Sequence, residues 1–174
     1  MQSLPDTELK AHAAWQAGRN GEALRLFQRG ANAGSVGCML DLGYFYDVGI
    51  GTRSNKAKAI YWYRQAYRMK DAAAASNIAV LYKEQSKNRL AFQWYKRSAE
   101  LGDGDSALEL AKHYLSGQGV SRSVSRAKKQ LQTAMSSKLV TPASVAEARK
   151  LLRQVTKQAG SNYSLKRTAA GRLR

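Results

Sequence analysis

Two histidines, one cysteine and two aspartates around a glycine are the residues of this 174-residue chain whose types could do chemistry. His12 and His113 lie far apart in the sequence, and a metal site needs three or four such ligands brought together, so both read as ordinary helix residues. Cys38 stands beside Met39 at the start of an apolar stretch with no neighbouring histidine to act as its base. It reads as small core filler, and a lone cysteine implies neither a disulfide framework nor an oxidising compartment. Asp103 and Asp105 flank Gly104, and paired carboxylates can do acid–base work. A turn role for Asp103 and a helix-capping role for Asp105 account for both more simply. The loops Gly49-Ile-Gly51 and Gly117-Gln-Gly119 could cradle phosphate, but no Gly-Lys-Ser/Thr follows them and they come after helices, not strands. They read as helix-ending turns. The chain therefore shows no catalytic, cofactor-binding or metal-ligating set, and the expectation is a protein that is not an enzyme and uses no cofactor.

The elements that carry these residues are repeats. Four segments align on an alanine followed four residues later by a large residue: Ala23 to Phe27, Ala59 to Tyr63, Ala91 to Tyr95 and Ala127 to Leu131. The alanines are 36, 32 and 36 residues apart. Three residues beyond each large residue is a small one, Gly30, Ala66, Ser98 or Ala134. A second set interleaves with the first. Leu42-Gly43 with Tyr46, Ile78-Ala79 with Tyr82, and Leu110-Ala111 with Tyr114 share one pattern, at spacings of 36 and 32. Two landmarks moving in step define a unit of two helices.

The spacing predicts A helices near 37–48, 73–85 and 105–116, and B helices near 22–33, 55–69, 87–100 and 124–136. Apolar residues recur every three or four positions, as at Ile60, Tyr63, Ala66 and Tyr67, and no two-residue alternation occurs. Gly49 and Gly117 sit where a helix ends in the left-handed region, and Asn55 and Ser125 sit where the next helix needs a cap. The middle unit lacks the glycine loop and runs Tyr82 to Asn88 instead, which accounts for its shorter period. Small residues at 43, 79 and 111 and at 30, 66, 98 and 134 let paired helices approach closely. No single unit can bury its apolar face, so stacking supplies the core. Pro142 opens a further helix to about Lys157, with Val145, Ala148, Leu151, Leu152 and Val155 on one side. From 159 to 174 the composition is polar and basic without periodicity, which reads as a disordered tail.

These motifs resemble the Sel1-like repeat, a relative of the tetratricopeptide repeat. The unit from about 37 to 71 carries Leu42-Gly43, Tyr46, Gly49-Ile-Gly51, Lys58-Ala59, Trp62-Tyr63 and Ala66. The unit from 105 to 137 keeps the loop but has Gln130-Leu131 in place of Trp-Tyr. The middle unit keeps Trp94-Tyr95 and Leu101-Gly102-Asp103 but lacks the loop. The N-terminal pair is degenerate, with Trp15 at the Tyr position. The resemblance covers 7–137. It implies an all-α, right-handed solenoid of stacked antiparallel helix hairpins over 7–158, preceded by a short extension at 1–6 and closed by a C-terminal capping helix and a disordered basic tail. It also implies that the A helices line a concave side. Asp41, Asn77 and Glu109, with Tyr44, Val80 and Lys112, vary between units and follow no packing pattern, so they are the candidate groove residues for a protein or peptide partner.

The net charge of +17 is lopsided. Residues 121–174 hold 13 Lys/Arg and one acid, Glu147, whereas residues 1–120 are only mildly basic. Arg122, Arg126, Lys128, Lys129, Arg149, Lys150 and Arg153 form a candidate basic end for an acidic partner or, alternatively, for nucleic-acid phosphates. Tyr163 is the one aromatic in that third, which offers little for base stacking. The first ten residues lack the basic and apolar regions of a signal peptide, and no stretch of about 18 apolar residues occurs, so the expectation is a cytoplasmic protein without a transmembrane segment. The function expected is a non-enzymatic adaptor or scaffold.

Overall fold

The computed structural model describes the backbone of residues 4–171 and the side chains of residues 6–157. Its helices are α1 (Leu4–Gln16), α2 (Asn20–Asn32), α3 (Val36–Val48), α4 (Lys56–Arg68), α5 (Ala72–Glu84), α6 (Asn88–Glu100), α7 (Gly104–Ser116), α8 (Val124–Ser136) and α9 (Pro142–Gly171). Each of the seven helices in the expected A/B series starts and stops within two residues of its predicted range. Among the described residues the only non-helical pairing is an isolated bridge between Asp103 and Leu139. The basic tail expected at 159–174 falls on residues whose side chains lie outside the described set.

Side-chain caps set the helix starts. The side chains of Ser35, Asn55, Asp71, Asp103 and Ser123 accept hydrogen bonds from the backbone N–H of Cys38, Lys58, Ala74, Asp105 and Arg126. Each supplies an acceptor to an N–H that has no partner within its helix. Two of these differ from expectation. Ser123, not Ser125, caps α8, because its backbone is extended where Ser125 is already helical. Asp103, not Asp105, caps α7 for the same reason. Asp105 instead accepts from the N–H and hydroxyl of Thr141, both at 3.0 Å. Partial burial would raise its carboxyl pKa, but hydrogen bonds from Ser144 and Thr141 outweigh this and hold it below the ordinary carboxylate range.

The helix ends follow the glycine pattern where glycine is present. Gly49 (φ 90°) and Gly117 (φ 77°) close α3 and α7 in the left-handed region. The middle repeat, which lacks that glycine, turns at Ser86 with φ 57°. A side chain there strains the backbone by about 1–2 kcal/mol. Ser86→Gly is therefore expected to raise the thermal midpoint by about 2–4 °C, a net gain of roughly 1 kcal/mol after the added chain entropy of glycine. Calorimetry of the variant checks this; an unchanged or lower midpoint would contradict it.

The chain divides into two compact units, Met1–Arg97 and Ser98–Arg174. In the first, α1 packs on α2, α2 on α3, α3 on α4 and α4 on α5. The small positions act as expected. A Cβ at Gly30 would fall 2.3 Å from the Cys38 Sγ, so α2 and α3 touch through that pair. Cys38 is fully buried, and desolvation pushes its thiol pKa up, in keeping with an inert filler. A Cβ at Gly43 would fall 2.4 Å from Cε1 of Tyr63, which brings α3 against α4. The degenerate N-terminal pair is held by aromatic edges: Trp15 lies 5.2 Å from Phe45, and Phe27 lies 5.0 Å from Phe45.

In the second unit α7 packs on α8 and α8 on α9. Ala107, Leu108, Ala111, Ala127, Leu131, Ala134 and Ala148 form its core, with Leu151 and Leu152 packed against it. The apolar side of α9 is thus buried on the last hairpin. The connector before α9 is pinned to the turn before α7. Gly104 N–H donates to the Leu139 carbonyl at 2.7 Å, and the Ser137 hydroxyl donates to the Gly102 carbonyl at 2.6 Å. His113 is buried, with Nδ1 2.7 Å from the Gln118 carbonyl oxygen, so it holds the Gly117–Gly119 loop against its own helix.

One contact recurs in both units. Lys58 lies over the Tyr46 ring at 5.0 Å and Arg126 over the Tyr114 ring at 5.8 Å. Both cations immediately precede the repeat alanine, and both rings end the A motif. The basic residue before the alanine is therefore a stacking residue for the tyrosine of its own hairpin. The middle repeat has Leu90 at that position.

Candidate partner-binding surfaces

On the first unit, four expected groove residues sit at two equivalent pairs of positions on α3 and α5. Tyr44 and Val80 are each 41% exposed. Asp41 and Asn77 are half-buried. The 36-residue step thus repeats one polar and one apolar group per A helix. The structure adds residues that the repeat pattern did not indicate. His12 Nε2 is 3.1 Å from an Asp41 carboxylate oxygen, which ties α1 to α3. Burial raises the Asp41 carboxyl pKa, and the neighbouring His12 opposes that rise. The Trp15 ring lies 6.0 Å from that of Tyr44, and His12, Trp15 and Gln16 line a cavity of about 220 Å³. Trp15 was visible in the sequence only as a departure from the repeat's tyrosine. Nothing there indicated a cavity.

On the second unit, Glu109 and Lys112 occupy the same register on α7, but Lys112 is tied to α9. Lys112 Nζ is 2.8 Å from Glu109 and 3.0 Å from Glu147. These contacts offset the burial that would lower the lysine's pKa and leave it above its ordinary value. Lys112 thus joins α7 to α9, with Glu109 as its neighbour on α7. Of the basic end, Arg122, Arg126, Lys129, Arg149, Lys150 and Arg153 are exposed and Lys128 is half-buried. Arg126 and Lys129 share one face of α8 by their spacing, and Arg149, Lys150 and Arg153 share one of α9. Leu152, Arg153, Thr156 and Lys157 line a shallow depression of about 510 Å³.

Among the described residues no group of three His, Cys, Asp or Glu is placed to hold a metal ion. Every buried polar side-chain atom described has a partner. Among the described residues no helix is long and apolar enough to cross a membrane.

Known proteins share the repeat and the fold. The family model of the Sel1 repeat matches residues 20–35, 36–71, 72–103 and 104–132. An F-box protein of Arabidopsis thaliana is 35% identical over 92 residues, which are 52% of this chain and 25% of that protein. A crystal structure of a Sel1 repeat protein from Oxalobacter formigenes superposes with a TM-score of 0.67 at 25% identity, covering 76% of this chain and 58% of that one. A protective antigen of uropathogenic Escherichia coli strains, described as displaying an SLR fold, gives a TM-score of 0.65 at 22% identity. It covers 76% of this chain and 30% of the antigen, and shows the fold alone. The chain thus spans from a quarter to under two thirds of these relatives' lengths.

Proposed function

Because the chain belongs to the Sel1 repeat family, whose members generally mediate protein–protein interaction, we propose that it is a non-enzymatic adaptor that holds a partner on its A helices. The observation that carries this reading is the repeated pair on α3 and α5. Tyr44 and Val80 are exposed apolar groups at equivalent positions, with Asp41 and Asn77 as polar neighbours. An extended peptide would find apolar contacts from the first pair and hydrogen-bonding groups from the second. The cavity at His12, Trp15 and Gln16 would accept one anchoring side chain beside Tyr44. Buried aromatic anchors of this kind carry most of the energy of a protein interface.

A nuclease-treated pull-down from native lysate tests the reading, with the wild-type chain, Tyr44→Glu/Val80→Glu and Arg149→Glu/Arg153→Glu compared by mass spectrometry. Recovery of a discrete protein partner is expected to fall about tenfold or more in the first variant, since each new charge would be desolvated at the contact, and to persist in the second. Loss in the arginine variant alone would move recognition to the basic end. Recovery that vanishes with nuclease would favour nucleic acid on residues 121–174.

A further inference from the structure

The geometry points to a second binding surface, on α4 and α6, that receives the carboxylates of an acidic peptide segment carrying aliphatic residues. Trp94 of α6 is the centre of it. The guanidinium of Arg97 lies 4.4 Å from the Trp94 ring centroid, and that of Arg64, from α4, lies 5.8 Å from the same centroid. The Tyr67 ring meets it edge-on at 5.2 Å. Trp94 is 7% exposed, so it is a platform that positions two cations. Arg64 is further oriented by Tyr82, whose hydroxyl oxygen accepts from it at 3.3 Å. Among the described residues neither Arg64 nor Arg97 has a carboxylate partner. Two guanidiniums held at one ring repel each other, and an anion reaching both relieves that repulsion. Held in place beforehand, each fork costs little to order around a carboxylate.

The surroundings specify the rest of the ligand. Tyr61, Arg64 and Arg68 follow one another at helical spacing on one face of α4, and Leu90, Trp94 and Arg97 do the same on α6. Tyr61 is 54% exposed and Leu90 is 39% exposed. Leu90 stands where other repeats place the cation that covers their tyrosine, and so leaves an apolar rim beside the arginines. Carboxylates with aliphatic neighbours match three cations and an apolar rim. A single-stranded nucleic acid matches less well, because it needs open ring faces for stacking and Trp94 is covered. The surface is separate from the groove residues on α3 and α5, so either can fail without the other.

The test is a fluorescence-anisotropy titration of the full chain, at about 0.15 M salt, with a labelled peptide of alternating Glu and Leu. The same peptide with Gln for Glu and a single-stranded oligouridylate of matching length serve as comparisons. The Glu peptide is expected to bind and the Gln peptide to bind at least tenfold more weakly. Arg64→Gln/Arg97→Gln is expected to weaken the Glu peptide at least tenfold, whereas Arg25→Gln/Arg29→Gln, at exposed positions of α2, leaves it within about twofold. Should the first variant lose its helical circular dichroism, Leu90→Glu decides, since it adds a repelling charge at an exposed position and is expected to give the same loss. No binding of the Glu peptide at millimolar concentration, equal losses in both arginine pairs, an unchanged titration with Leu90→Glu, or an oligouridylate that binds tighter and depends on Arg64 and Arg97 would each overturn the assignment.

Discussion

Asp103→Ala is expected to lower the thermal midpoint by about 5–15 °C, a loss of roughly 2–4 kcal/mol. One carboxylate does three things. Its Oδ1 accepts from the Asp105 N–H at 3.0 Å and so caps α7. Its Oδ2 accepts from the hydroxyls of Ser98 at 2.8 Å and Ser106 at 2.7 Å. Ser98 and Ser106 are essentially fully buried, so water cannot replace the lost acceptor. The lost cap costs about 1 kcal/mol, and removing the acceptor shared by two buried hydroxyls costs about 1–3 kcal/mol. The damage extends to α9, because the turn that Asp103 organises also receives Ser137 on the Gly102 carbonyl and offers the Gly104 N–H to Leu139. Asp103→Asn keeps one acceptor oxygen and should lose less than half as much. Calorimetry of both variants checks the order. Equal losses would mean that the cap, which asparagine retains, contributes little beside the hydroxyl network, and a loss below about 1 kcal/mol would remove the network from the account.

The same turn shows where sequence reasoning runs out. The Gly102-Asp103 pair was legible as a turn, because it stands between a B helix and the next A helix, where the Sel1-like repeat carries its Gly-Asp turn. That its backbone would pair with Leu139 was not legible: one isolated bridge has no period. The helices were legible for the opposite reason. Alanine at 23, 59, 91 and 127 and the large residue four positions on are read from several copies at once, so chance in any one of them cancels. The pairing of Lys112 with Glu147 had no such support. It joins α7 to a helix that occurs once, and a helix that occurs once offers no second copy to compare. Lys112 therefore looked as free as Asp41 and Tyr44, although the fold uses it to hold α9. The site was less legible than the fold throughout. His12 read as an ordinary helix residue, and its place is beside Asp41, on the rim of a cavity whose walls come from the least regular repeat. Arg64 and Arg97 were part of a segment whose net charge is small, and only their convergence on Trp94 distinguishes them from other surface arginines.

Gly43→Val is expected to destabilise the chain by about 3 kcal/mol or more, a large fraction of an ordinary total stability. A Cβ built there meets three atoms of the Tyr63 ring at 2.4, 2.6 and 2.9 Å. Tyr63 is 2% exposed and packed on all sides, so the ring cannot swing away, and α3 must move off α4. Gly43→Ala places the same Cβ, but alanine gains up to about 1 kcal/mol of helix propensity over glycine, so its net loss is smaller, about 0–2 kcal/mol. The chain itself contains the compensated version of this contact. In the last hairpin the equivalent positions are Ala111 and Leu131, both fully buried in one core cluster. A leucine lacks the ring atoms that the new Cβ would strike. Gly43→Ala should therefore be better tolerated with Tyr63→Leu than without it, with a favourable coupling of about 1 kcal/mol between the two changes. A double-mutant cycle by chemical denaturation measures this directly. Strict additivity would show that the glycine answers to its helix rather than to the ring, and that the small residues of the repeat are not matched one for one to the large residues they face.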